Sequence, residues 1–305
     1  MNEFVFKMVI GLIKLLSKLP LSVLYRISDF MYLIVHKVIK HRVHIVRNNL
    51  KRAFPTKTEA ELMSIEVQFY KNFCDLVMEY VYLQSMDIHT LNKHFTYTGL
   101  EPMRKYLSEN RGVIVTMGHQ MNWELSVGFG ENLKSDCDLY PVHKPLRNKQ
   151  IDKYTSENRA RFGATPIPMD KTSRTLKDNK ERNKPFVVLL IADQAASKFK
   201  GYWTKFMGID SPFYVGPDIL ARKTDSVVFF AHITKIKRGY YNLEMKLVTD
   251  TPEAEEPAAI IEKYIGFLES ALRQQPDTYL WTHNRWKHTK PSDEELKAIK
   301  KPAEY

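Results

Sequence analysis

The chain predicts an α/β fold, a mixed β-sheet flanked by helices and preceded by an N-terminal membrane-associated helical segment. Three observations point to it. Beyond Met103, short apolar runs alternate with amphipathic stretches, the pattern of strands covered by helices. The run Val113-Ile114-Val115-Thr116-Met117 closes on Gly118 and reads as a buried strand with its exit turn. Residues 1–52 hold ten Lys/Arg against Glu3 and Asp29, a net +8 out of +11 for all 305 residues. This length accommodates one substantial core and an appendage, divided here as 1–54, basic and amphipathic, and 55–305, the α/β domain.

Taken in order, Phe4 to Leu19 is apolar except at Lys7, Gly11, Lys14, Ser17 and Lys18. The three- and four-residue steps of 7, 11, 14 and 18 gather those positions into one stripe of a helix. Sixteen residues rise only about 24 Å, against a hydrocarbon core of about 30 Å, and Pro20 then interrupts the pattern. A helix lying in the membrane interface therefore fits better than a spanning one, with packing on the protein's own core as the competing arrangement. Lysines inside the apolar run and the lack of a small-residue cleavage site argue against a signal peptide. Leu21 to Arg52 continues as one or two basic helices ending at Phe54-Pro55. Thr58-Glu59-Ala60-Glu61 forms a capping box for a helix reaching about Ser85.

Strands are expected at 112–117, 138–142, 164–168, 185–191, 226–234 and 241–249, with helices at 121–133, 147–162, 172–182, 213–224 and 257–274. The last two strands, joined across Arg238-Gly239, read as a hairpin, so the sheet is mixed. The tail from Lys290 reads as a solvated end.

Composition narrows the function. Cys74 and Cys137 offer neither a disulfide framework nor metal-ligand spacing and suit a reducing compartment. The N-terminal cations are interleaved with Leu, Ile, Val and Met, which favours an anionic membrane over nucleic acid. No Gly-rich phosphate loop and no Gly-x-Ser-x-Gly elbow is present; Ser126 sits in Glu124-Leu125-Ser126-Val127-Gly128. His283 has no second ligand at metal spacing, so no metal is expected.

The most informative segment is His119-Gln120-Met121-Asn122-Trp123-Glu124, at the exit of the first buried strand. With His119 in the turn and Glu124 in the first helical turn, the carboxylate can hold one ring nitrogen while the other faces a substrate hydroxyl as general base. Taken alone, the pair reads equally well as a satisfied turn histidine beside a surface carboxylate.

Gly118-His119-Gln120-Met121-Asn122-Trp123-Glu124 resembles the GHxxNWE block of the lipid A late acyltransferases, bacterial enzymes that add secondary acyl chains to lipid A. Further segments resemble the family in its order: Lys144-Pro145-Leu146-Arg147-Asn148, Asn158-Arg159-Ala160-Arg161-Phe162-Gly163, Asp193-Gln194, Phe206-Met207-Gly208, and Tyr279 through Lys287 with Trp281, His283, Arg285 and Trp286. The resemblance is strong over about residues 110 to 290. Gln120-Met121 replaces the commoner Phe-Gly, and Lys144 stands where Arg is usual, which keeps a cation but loses a bidentate fork.

The resemblance implies a glycerolipid acyltransferase-like fold and transfer of a fatty acyl chain to a hydroxyl of a lipid A precursor, at the cytoplasmic face of the inner membrane. It implies acyl carrier protein as donor, an acidic partner suited to a chain of pI near 9.3, and no cofactor. Acyl-CoA is the alternative donor; another membrane glycolipid or aminolipid is the alternative acceptor. A basic peripheral membrane protein with an incidental His-Glu pair is the non-enzymatic alternative. His119 would be the base and Glu124 its orienting partner, with direct transfer and no covalent intermediate. Arg159 would serve the oxyanion or a substrate phosphate, with Arg161 directed elsewhere; Lys144, Arg147 and Arg285 would meet phosphate or headgroup. Asp193 and Gln194, at a strand exit, would position the acceptor.

Overall fold

The computed structural model describes residues 2–133, 137–292 and 294–295. The lysine-rich end beyond Glu295 lies outside the described residues. Four helices lead the chain: α1 (Glu3–Leu16), α2 (Leu21–Tyr32) with a π-helical turn at Leu33–Val38, α3 (Val43–Ala53) and the long α4 (Glu59–Leu83). Next come α5 (Ile88–His94), β1 (Phe95–Thr98), α6 (Leu100–Ser108), β2 (Val113–Met117) and a 3₁₀ turn at Trp123–Gly128. These are followed by α7 (Phe129–Leu133), β3 (Asp138–His143), α8 (Lys149–Ala160), β4 (Ile167–Pro168), α9 (Thr172–Glu181) and β5 (Phe186–Ile191). The remainder is β6 (Tyr202–Phe206), β7 (Ile209–Phe213), α10 (Gly216–Thr224), β8 (Val227–Lys237), β9 (Tyr240–Thr249) and α11 (Ala259–Gln274).

Among the described residues the main sheet has seven strands in the order β1-β9-β8-β2-β5-β3-β4. Neighbours are parallel except β8 and β9, which form the expected hairpin. Gly239 turns that hairpin at φ +77°, and a Cβ there would meet the Tyr25 hydroxyl at 2.1 Å, so backbone conformation and close approach both require glycine. The neighbouring Arg238 reaches Asp75 at 2.6 Å and Asp29 at 2.7 Å, tying the hairpin to α4 and α2.

β2 is buried along its whole length between β5 and β8, which is why it reads as a continuous apolar run rather than an alternating one. Its side chains nevertheless alternate between faces. Ile114 joins Val188, Phe230 and the α11 residues Ile261, Tyr264 and Leu268 on one side. Val113, Val115 and Met117 join Leu107, Phe129, Val187 and Phe229 on the other. Burying each such side chain contributes roughly 1.5–3 kcal/mol, against about 0–1 kcal/mol for an exposed ion pair, so these two layers dominate the stability.

The capping box at Thr58 forms as expected, with Glu61 closing it. The N-terminal segment divides. α3 packs inward through Val46, Leu50 and Phe54, and Asn49 donates to the carbonyls of Trp281 and His283 at 2.9 Å. α1 has no buried residue: Phe6, Ile10, Ile13 and Leu16 are half-buried, while Phe4, Met8, Leu12 and Leu15 point outward. No helix among the described residues is long and apolar enough to cross a membrane.

Two differences from expectation have physical reasons. The helix expected at 121–133 is a 3₁₀ turn leading into α7, because Asn122 caps Glu124 two residues on and tightens the start. The hairpin β6–β7 carries too little alternation to announce itself. The Trp281–Trp286 block, to which no expected strand or helix extends, is a chain of turns, its backbone held by short-range bonds such as Arg285 to His283 at 2.8 Å.

Candidate active site

β2 and β5 lie side by side and parallel, so both deliver their exit loops to the same edge of the sheet, where α/β proteins place ligands. His119 leaves β2 and Asp193 leaves β5. The Asp193 carboxylate accepts the His119 ring at Nδ1 over 2.6 Å and the His119 backbone N–H over 3.1 Å. A carboxylate on Nδ1 fixes that nitrogen as the proton donor, leaving Nε2 unprotonated in the neutral ring and free to act as a base.

Asp193 is 2 % exposed. Burial alone would push its carboxyl up, but the His119 charge, the ring and backbone bonds from His119 and a bond from the Tyr279 hydroxyl together hold it below the ordinary value. The segment carrying Tyr279 also clamps the histidine loop: Met121 N–H donates to Thr278 at 2.9 Å and Leu280 N–H to His119 at 3.1 Å, in an antiparallel bridge between Gln120 and Tyr279. Behind the loop, Asn122 donates to Glu79 of α4 at 2.9 Å. Tyr25 and Tyr241 donate to the same carboxylate, which burial pushes upward despite all three donors. Gly118 lies so close to α11 that a Cβ would meet Leu268 at 2.6 Å.

Glu124 takes a different partner. Its Oε1 accepts from Arg159 of α8 at 2.9 Å and from the Trp123 indole at 3.1 Å. The Trp123 ring in turn stands edge-on to His119, 5.1 Å between centroids. The Gln194 amide nitrogen approaches His119 Nε2 at 3.4 Å. All these groups line a cleft of about 370 Å³. Lys144 and Arg159 stand in its wall together with the polar Thr155 and Ser156, while Val127, Leu139, Ala164 and Leu189 supply apolar lining. Among the described residues no cluster of three His, Cys, Asp or Glu side chains could hold a metal ion.

The family model for bacterial lipid A biosynthesis acyltransferases matches residues 1–288 of this sequence. The chain belongs to that family. It is an acyltransferase, and the family supports acyl transfer to lipid A. It is 24% identical to a lipid A biosynthesis lauroyltransferase of Escherichia coli (strain K12) over 299 residues, covering 92% of this chain and 90% of the relative. It is 22% identical to the lipid A biosynthesis palmitoleoyltransferase of the same strain over 294 residues, covering 93% and 91%. A lipid A biosynthesis acyltransferase of Shigella flexneri matches to the same extent.

In this acyltransferase the residues singled out by sequence divide into two groups. His119, Glu124, Lys144, Arg159 and Gln194 come together in the cleft, with Asp193 directly behind His119. Here the sequence reading needs correcting: Asp193, not Glu124, holds the His119 ring, because Glu124 is turned onto Arg159 and Trp123. Arg147 is exposed and outside the cleft lining. Arg285, expected at a headgroup, is 1 % exposed, stacked against Phe206 and Phe213 and donating to the Pro212 carbonyl at 3.1 Å. Arg161 turns away from the cleft and donates to the carbonyls of Leu83, the last residue of α4, and of Met86 just beyond it. Tyr279, Asn122 and Glu79 were missed as supports. Tyr279 lies 160 positions from His119, and nothing local marks the pairing.

Proposed function

We propose that this acyltransferase moves a fatty acyl chain from the thioester of acyl carrier protein to a hydroxyl of a lipid A precursor at the cytoplasmic face of the inner membrane. The observation that carries the reading is an imidazole whose Nδ1 is taken by a buried carboxylate while the rest of the ring faces a cleft with both cationic and apolar walls.

In this mechanism His119 Nε2 takes the proton of the acceptor hydroxyl as its oxygen attacks the thioester carbonyl. Asp193 keeps the tautomer and balances the imidazolium that forms. Arg159, held by Glu124, faces the developing oxyanion or a substrate phosphate, and Lys144 adds a second cation at the mouth. The C–S bond then breaks, and the departing thiolate recovers the proton from His119. The acidic donor protein suits the basic surface, and no cofactor takes part.

Membrane contact is proposed through the outward face of α1, with Phe4, Met8, Leu12 and Leu15 exposed, and through Phe30, Leu33, Val38 and Ile39 at the end of α2 and the turn that follows. On the inward side of α1, Phe6 packs edge-on against Tyr154 of α8, the helix that carries Arg159, so α1 lies beside the helix that borders the cleft.

The test is acyl transfer from acyl-acyl carrier protein to a lipid A precursor, followed by mass spectrometry of the product. His119→Ala is expected to abolish transfer while vesicle binding stays intact. Undiminished transfer by that variant would refute the assigned base.

A further inference from the structure

We propose that a second, smaller lobe of the cleft binds a hydrocarbon chain of the acceptor lipid, distinct from the chain being transferred. The proposal rests on the acyl-transfer reading above and specifies where the second substrate lies.

A cavity of about 240 Å³ adjoins the catalytic cleft, and the two share Val142, His143, Lys144, Ile191 and Gln194 as walls. Beyond that shared wall the smaller lobe is lined mainly by apolar groups, among them Met169, Leu190, Tyr214, Pro217 and Leu220. Among the described residues its lining contains no acidic side chain and one lysine, Lys144, which stands at the junction. Met169 and Tyr214 are 49 % and 42 % exposed, so the lobe has an amphipathic rim open to the outside. Such a lining suits an alkyl chain whose polar end stays near the lysine.

The geometry around His119 decides which substrate owns it. Asp193 occupies Nδ1, so the attacking hydroxyl has to approach Nε2, the atom that Gln194 faces at 3.4 Å. Gln194 is part of both lobes, and therefore the carbon bearing that hydroxyl sits at their junction. The Glu124–Arg159 pair belongs to the larger lobe alone, which places the carbonyl and its acyl chain on that side. With the transferred chain assigned to the larger lobe, the acceptor's tail extends past Gln194 into the smaller one.

The test fills the smaller lobe. Gly216 and Leu220 both line the lobe, and a Cβ at Gly216 would meet nothing within 4 Å, so Gly216→Leu adds bulk from an open position and Leu220→Trp adds it from the next turn of α10. Initial rates are measured with lipid A precursor varied, with acyl-acyl carrier protein varied, and with donor alone to follow thioester hydrolysis by water. Each excluded methylene costs about fourfold in affinity, so KM for the precursor should rise about tenfold or more. KM for the donor, its preferred chain length and its hydrolysis should stay as in the parent protein. A changed donor KM or chain-length preference would assign the lobe to the transferred chain and overturn the proposal, as would an unchanged precursor KM in both variants. If the parent protein neither transfers nor hydrolyses the donor, the acyl-transfer reading itself fails.

Discussion

His119 has a carboxylate on each side of its loop, and they do unequal work. Asp193 is buried and bonded to Nδ1; Glu124 reaches Arg159 and touches the histidine only through the Trp123 ring. Replacing Asp193 with Asn keeps the shape but presents the ring with a group able to favour the wrong tautomer. kcat should therefore fall on the order of 10³–10⁴-fold. Glu124→Gln weakens the grip on Arg159, a charged hydrogen bond worth about 1.5–3 kcal/mol, so the loss should be roughly 10–100-fold. Steady-state kinetics of the two variants rank the carboxylates directly. A Glu124→Gln variant as impaired as Asp193→Asn would return Glu124 to the role of orienting partner.

At the scale of elements, α1 is held by one face and free on the other. Ile13 and Leu16 rest against the cluster of Leu24, Met78 and Val81, whereas Met8 and Leu12 are 60 % and 56 % exposed. Because neither outward residue packs on the core, the double substitution Met8→Glu and Leu12→Glu should leave the unfolding transition in place. It should also remove apolar burial and add negative charge at an anionic surface, weakening vesicle binding by about tenfold or more. Co-sedimentation with vesicles containing anionic lipid measures this, and undiminished binding would move the membrane contact elsewhere.

Across the whole molecule, histidines partly or fully withdrawn from solvent contribute to the response to acid. Burial lowers His283 to about 4, from an ordinary value of 6.5, and lowers His143 and His232 in the same direction. Between about pH 6.5 and 4 the unfolded chain binds protons at His283 that the folded chain refuses, so stability falls as pH falls through this window. Asp193 acts in a lower window. Its carboxyl is held below the ordinary 3.8, so its contribution is present above that value and is lost as pH drops through the folded one. His283→Gln should flatten the decline between pH 6.5 and 4, seen as a smaller change of urea midpoint with pH. A slope equal to that of the parent would remove His283 as its source.

The sequence by itself determined the layered fold, because periodicity and turn residues are local: the run at Val113–Met117, the capping box at Thr58 and the hairpin across Arg238-Gly239 all stand where they read. It also marked His119, Glu124, Arg159, Lys144 and Gln194, which share the cleft. Short elements such as β1 and the β6–β7 hairpin escaped because four or five residues carry too little pattern. Only the tertiary structure decided the partnerships. A carboxylate five residues from His119 was within reach in sequence, yet parallel pairing of β2 with β5 brought one 74 residues away to its Nδ1. Arg285 was drawn into an aromatic interior for the same reason: strand register and helix packing choose neighbours by burial and shape, and neither can be read from spacing along the chain.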